Sequence, residues 1–293
     1  MTATRLRTFS PSRLDTWTTC PRRYRFTYLD DPAPARRGAF AHTTLGAATH
    51  LALARWWQLA EEERVPDRVA AEVESGWTDE GFADAAMSSR WRIRARDMVA
   101  AYVEAETRRR EVLREAGLLE PRRVESSVTL RVGQWLALSG RPDRIDERPG
   151  PGGGTQLVVV DYKTGRLAPT DDDARTSRTL ALYAAAAEAT LRRPALRVEL
   201  HHLPTGTIAV WRHDEASRGR QVRRAAQVAD DCRAVEADLA DTGSADDLFP
   251  ARPGKLCPWC DYQASCPEGI QTGPAVEPWA ALEPDAATGP VPP

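Results

Sequence analysis

The chain has 293 residues, enough to bury the core of one large α/β domain or two small ones. Hydrophobic content of 42% and charged content of 28% are ordinary for a globular protein. A formal net charge of −2 excludes a global basic field that would draw in nucleic acid, though not a basic groove offset by an acidic site.

No apolar run approaches the roughly 20 residues that span a bilayer. The N-terminal stretch MTATRLRTFSPSR lacks the apolar segment of a signal peptide. A cytoplasmic, non-membrane protein is expected, in a compartment where thiols stay reduced.

In chain order, Ser10-Pro11 opens a first helix, with serine suited to the N-cap and proline to the first turn. That helix runs towards Cys20-Pro21, and a Pro- and Arg-containing connection follows from Asp30 to Gly38. Helical spacing over Thr44–Glu63 puts Leu45, Ala52, Trp56 and Leu59 on one stripe, with Gly46, His50, Leu53 and Trp57 on its neighbour. A third helix is predicted over Trp91–Ala116, stopped by Gly117.

The pattern then turns to β. Val124–Val132, Trp135–Gly140 and Leu157–Tyr162 read as strands, with a Gly/Pro loop at Pro149–Gly154. Ser177–Leu191 returns to helix, Arg197–Leu203 and Thr207–Arg212 form a hairpin around Thr205-Gly206, and Asp214–Asp241 is a long polar helix. A cysteine-rich segment follows. From Gln271 onward, Pro, Ala and acidic residues predict a disordered tail.

The segment Leu157-Val-Val-Val-Asp161-Tyr-Lys163-Thr-Gly165 carries the most chemistry. A continuous valine run marks a strand buried on both faces, and period-two alternation puts Asp161 and Lys163 on one face. A carboxylate and an ammonium emerging together from a buried strand are costly unless paired or holding something. A hard cation takes oxygen ligands, and an ammonium beside it orients water or neutralises developing charge. Asp143, in Gly140-Arg-Pro-Asp143-Arg-Ile-Asp146, precedes the loop into the valine run and is expected beside Asp161. Two adjacent carboxylates repel, and a divalent cation resolves the repulsion. Taken singly, the Asp-x-Lys reads more readily as an exposed ion pair, Asp143 as a turn residue and His50 as a packed or solvated helix residue.

Together, GAATH at Gly46–His50, GRPDRID at Gly140–Asp146 and VVVDYKTG at Val158–Gly165 resemble the PD-(D/E)XK nucleases, most closely their RecB-like branch. The resemblance implies an α/β fold in which helices flank a central mixed β-sheet, the restriction-endonuclease-like core. It implies that His50, Asp143 and Asp161 bind Mg2+ or Mn2+ with the backbone carbonyl of Tyr162, and that Lys163 is the catalytic lysine with Asp143 and Asp161. The branch favours Gln-x-x-x-Tyr on the following helix. Here Tyr183 matches, but Thr179 stands where glutamine is expected, which weakens the expected grip on DNA and leaves the metal ligands untouched.

Five cysteines occur, three of them in Cys257-Pro-Trp-Cys260-Asp-Tyr-Gln-Ala-Ser-Cys266, with Cys20 near the other end. Four thiolates suit tetrahedral Zn2+ or a [4Fe–4S] cluster equally well. The spacing, with SPSRLDTWTTCPRRYRF around Cys20, resembles the cluster-bearing members of the same nuclease branch, and that resemblance implies a [4Fe–4S] cluster on Cys20, Cys257, Cys260 and Cys266. Cys232 reads as a free thiol.

These readings divide the chain into an N-terminal helix with the first cluster cysteine (1–40), a nuclease core (41–245), a cluster-binding segment (246–270) and the tail (271–293). The expected activity is a metal-dependent DNA exonuclease of repair or recombination, or a CRISPR-adaptation-type nuclease, working on single-stranded DNA or a free end, alone or with a separate helicase. A non-catalytic DNA-binding module of the same fold is the alternative. Arg22 and Arg23 beside Cys20 are candidate phosphate contacts, together with Thr179 and Tyr183. No Gly-x-x-x-x-Gly-Lys-[Ser/Thr] loop occurs, so the chain is not itself an ATP-driven motor.

Overall fold

The computed structural model describes residues 6–115, 121–150, 153–242 and 245–282. The strands are β1 (Arg7–Phe9), β2 (Arg123–Val124), β3 (Val128–Val132), β4 (Leu136–Gly140), β5 (Arg144–Pro149), β6 (Thr155–Lys163), β7 (Arg197–His202) and β8 (Ile208–Arg212). The helices are α1 (Pro11–Thr19), α2 (Pro21–Tyr28), α3 (Ala41–Gln58), α4 (Pro66–Gly76), α5 (Ala85–Glu115), α6 (Asp171–Thr176), α7 (Arg178–Leu191), α8 (Glu215–Thr242), α9 (Ala245–Leu248) and α10 (Pro267–Ile270).

The fold is mixed α/β, in the restriction-endonuclease-like manner expected, but with two sheets instead of one. The larger has the order β2-β5-β6-β7-β8 and the smaller β1-β4-β3, each combining parallel and antiparallel pairs. Val124–Val132, expected as one strand, is divided between them: β2 pairs with β5 and β3 with β4. Glu125 makes the switch in a left-handed conformation (φ 45°), which side chains other than glycine rarely adopt.

β6 is the centre of the larger sheet. Val158, Val160 and Tyr162 pack against α3, α4 and α5, while Leu157 and Val159 pack against α7 on the opposite face. α3 ends at Gln58 instead of Glu63, because Leu59 turns extended, and α4 opens at Pro66 soon after. α5 starts at Ala85, earlier than expected. The stop expected at Gly117 lies outside the described residues.

One part of this core is ionic. On the α5 side of the sheet, Arg144, Asp146, Arg148, Glu199 and His201 are buried with Glu106 and Arg110 of α5. Arg144 bonds Asp146 and Glu106 at 3.0 and 2.9 Å, and Arg148 bonds Asp146 and Glu199 at 2.7 Å each. His201 joins Glu199 to the Tyr102 hydroxyl at 2.9 and 2.7 Å. Burial alone would raise the Asp146 carboxyl, but Arg144, Arg148 and Arg110 outweigh it and hold it at about 2.

The chain's two ends are laced together. The Arg22 guanidinium donates to the Phe249 carbonyl and pairs with Glu268, Arg25 pairs with Asp246, and the Phe26 and Tyr262 rings meet at 5.5 Å. Residues 271–282, within the tail expected to be disordered, instead pack back on the core. The Val276 amide donates to the Pro258 carbonyl, the Ala41 amide donates to the Pro278 carbonyl, and Leu282 joins the α3–α5 cluster.

Candidate active site and metal centre

The site forms where β6 outruns β5. The paired register stops at Arg144–Val160, so Asp143 stands just beyond the ladder, beside the last residues of β6. One Asp143 carboxylate oxygen accepts the Tyr162 backbone N–H at 2.6 Å, and the other accepts from His50 Nδ1 at 3.0 Å. Helix α3 presents His50 from the opposite side, its ring edge-on to Tyr162 at 5.8 Å. Glu125 arrives from the sheet-switching turn, where its amide donates to the Asp143 carbonyl at 3.0 Å and Arg141 pairs with its carboxylate at 3.3 Å. Ligand atoms of His50, Glu125 and Asp143 lie within 4.8 Å of one another, the one such group of three among the described residues.

Sequence reasoning missed Glu125. No neighbouring motif marks it; the available signal is its strained backbone, of the kind that concentrates at functional sites. Asp161 stands outside the trio, its carboxylate turned to Lys163 Nζ at 2.8 Å. Gly46 leaves little special room: a Cβ there would meet only Thr164 Oγ1, at an ordinary 3.5 Å.

The electrostatics are those of crowded acids. Burial and the Asp143 charge push Glu125 up to about 6 and raise Asp161, with Lys163 opposing the latter. Burial would lower Lys163 and His50, but Asp161 outweighs it for the lysine and Asp143 for the histidine, so both are raised. The ammonium therefore persists at neutral pH.

Tyr183 packs on the approach to Asp143. A Cβ on Gly140 would fall 2.1 Å from the tyrosine ring, and the Arg141 backbone N–H bonds its hydroxyl, while burial pushes its pKa up to about 12. Thr179 is half-buried in the first turn of α7. Arg22, expected on phosphate, is buried between the chain's ends, where it donates to the Phe249 carbonyl and pairs with Asp246 and Glu268. Arg23 is partly exposed and lies 3.6 Å from Asp261.

Cys20, Cys257, Cys260 and Cys266 line a single cavity between α2 and the C-terminal segment, with Phe26 and Leu256. Their sulfurs are not drawn into a compact set: among the described residues, no three cysteine sulfurs lie within 4.8 Å of one another. Burial raises the Cys260 and Cys266 thiols, and the Gly254 N–H donates to the Cys257 sulfur at 3.4 Å. Cys232 is buried apart from them, in the core around α8.

A mixed sheet whose central strand ends in an acid–lysine pair, faced by a histidine and further acids, defines a class of phosphodiester-cleaving enzymes. Residues 8–267 match the PD-(D/E)XK nuclease superfamily, and the chain belongs to it. Nucleases of this superfamily use divalent metals, and the His50–Glu125–Asp143 group could bind one. Among solved structures, the crystal structure of SSO0001 is similar at 15% identity, with a TM-score of 0.33, covering 89% of this chain and 85% of that one. No curated protein matches the chain. Among the described residues, no helix is long and apolar enough to cross a membrane.

Proposed function

We propose that this chain is a Mg2+- or Mn2+-dependent deoxyribonuclease of the RecB-like branch, acting on DNA ends as an exonuclease in repair or recombination. The observation that carries the reading is the convergence of His50, Glu125 and Asp143 within 4.8 Å, beside the Asp161–Lys163 pair. Three crowded carboxylates, two of them raised, suit a divalent cation, which would relieve their repulsion. Bound there, the cation would supply the Lewis acidity that phosphodiester hydrolysis requires.

The protein's own groups have separable roles. Asp143 is fixed through both oxygens, and its bond to His50 Nδ1 leaves Nε2 as the ring's ligand atom. A strand residue turns its N–H and C=O to the same neighbour, so the Tyr162 carbonyl faces the Asp143 side and can join the ligands. Lys163, kept charged by Asp161, orients the attacking water and neutralises charge on the phosphate without taking a proton itself. Exposure of single-stranded or frayed DNA by a separate helicase would suit a chain with no nucleotide-binding loop of its own.

A [4Fe–4S] cluster on Cys20, Cys257, Cys260 and Cys266 belongs to the same reading. Support comes from the shared cavity and the N–H donor to Cys257. A reducing, cytoplasmic setting suits thiols held this way. The cluster would tie residues 1–40 and 246–270 to a core of 41–245 and contribute to folding stability.

The test is digestion of end-labelled linear and circular DNA with Mg2+ or Mn2+ after anaerobic purification. Linear strands should be degraded and circles spared, with iron and sulfide present in the purified protein. Lys163→Ala should lose roughly 100- to 1,000-fold in rate while still binding Mn2+. Full activity in that variant would overturn the mechanism, and zinc in place of iron would overturn the cluster.

A further inference from the structure

The loop between β6 and α6 begins one residue after Lys163 and has no role in the scheme above. Both its ends are braced. Thr164 lies against α3 at Gly46, and the fully buried His202 donates from Nε2 to the Gly165 carbonyl at 2.6 Å. At the far end, Thr170 caps α6 in a reciprocal box with Asp173, and Asp171 accepts the Val210 amide at 2.6 Å. Between these anchors, Arg166, Leu167 and Ala168 stand in solvent.

Leu167 is 82% exposed, more than any other large apolar side chain among the described residues. Arg166 beside it makes no ion pair among the described residues, in a protein where most other arginines near the site are paired. A single exposed leucine needs no explanation on an ordinary surface. This one is held out on a rigid support, next to an uncommitted guanidinium, and four residues of chain keep it within about 14 Å of Lys163.

We infer that this loop is a nucleic-acid contact: Arg166 takes a backbone phosphate flanking the scissile one, and Leu167 packs against the face of a base in the same strand. The guanidinium fork matches phosphate geometry, and an apolar side chain gains by covering a base face. Such a face is open only where the strand is unpaired or frayed, so the loop selects strands with accessible bases. The inference rests on the nuclease reading for the position of the scissile phosphate.

Binding to a fluorescent oligothymidylate, and to an abasic strand of equal length, is measured with Ca2+ in place of Mg2+ over a range of salt. Arg166→Gln should reduce the slope of log affinity against log salt by about 0.7 on both strands, the loss of one phosphate contact. Leu167→Ser should weaken binding to oligothymidylate roughly tenfold, leave the salt slope unchanged, and have no effect on the abasic strand. Equal weakening of both strands by Leu167→Ser, or no change in either variant, overturns the contact. Loop-dependent binding by a protein that does not cleave DNA in Mg2+ supports the contact while removing the nuclease reading, so the two fail separately.

Discussion

Gly140→Ala should act through Tyr183, and the size of the effect follows from the packing. The added methyl would sit 2.1 Å from Cε1 and 2.5 Å from Cδ1 of the tyrosine ring. The ring is held by the Arg141 amide at its hydroxyl and by the α7 core around it, so it has little freedom to swing away. Overpacking of this kind costs about 1–3 kcal/mol. With Tyr183→Ala in the background the methyl enters vacated space, and a glycine-to-alanine change at an unstrained position then stabilises by about 0.4–1 kcal/mol. The double-mutant cycle should therefore show a coupling of about 2 kcal/mol or more. Urea unfolding followed by circular dichroism measures it as a shift in midpoint at constant slope. Because Gly140 lies three residues before Asp143, Gly140→Ala should also lower kcat. An equal midpoint shift from Gly140→Ala in both backgrounds would refute the reasoning.

Mn2+ affinity should strengthen as pH rises through about 6, because Glu125 must lose a proton held up to about 6 and His50 one held above its ordinary value. Calorimetric titration in buffers of different ionisation enthalpy should show protons released, and a pH-independent affinity would count against both ligands. Arg144→Met removes a fully buried cation that pairs with both Asp146 and Glu106 and should cost about 3–5 kcal/mol in denaturant unfolding. A loss under about 1 kcal/mol would show that the ionic layer tolerates piecewise change.

The central strand and its acid–lysine pair were legible because a valine run ending in Asp-x-Lys fits few local structures. The ionic layer was not. Arg144, Asp146 and Arg148 alternate with period two, which from sequence reads as a solvated strand face, whereas the structure covers that face with α5. Only the acids and arginines of distant elements make the burial tolerable, and no local pattern announces them. Glu125 escaped for a related reason. It lies in a run that looks like one strand, and the chain's transfer from one sheet to another is decided by tertiary pairing instead of local preference. The His50 role was readable only through family resemblance, since one histidine on a helix has no local signature.

The hydrogen bond from the Ala41 amide to the Pro278 carbonyl gives the C-terminal segment a grip on the first turn of α3, the helix that carries His50 two turns further on. Shortening the chain before residue 276, or attaching a bulky fusion partner there, would free an N-terminal amide of that helix and bare the apolar surface under Leu282. A change made far along the polypeptide would thus be felt as a loosened histidine. Expression designs that trim this stretch as dispensable would be tampering with the candidate metal site.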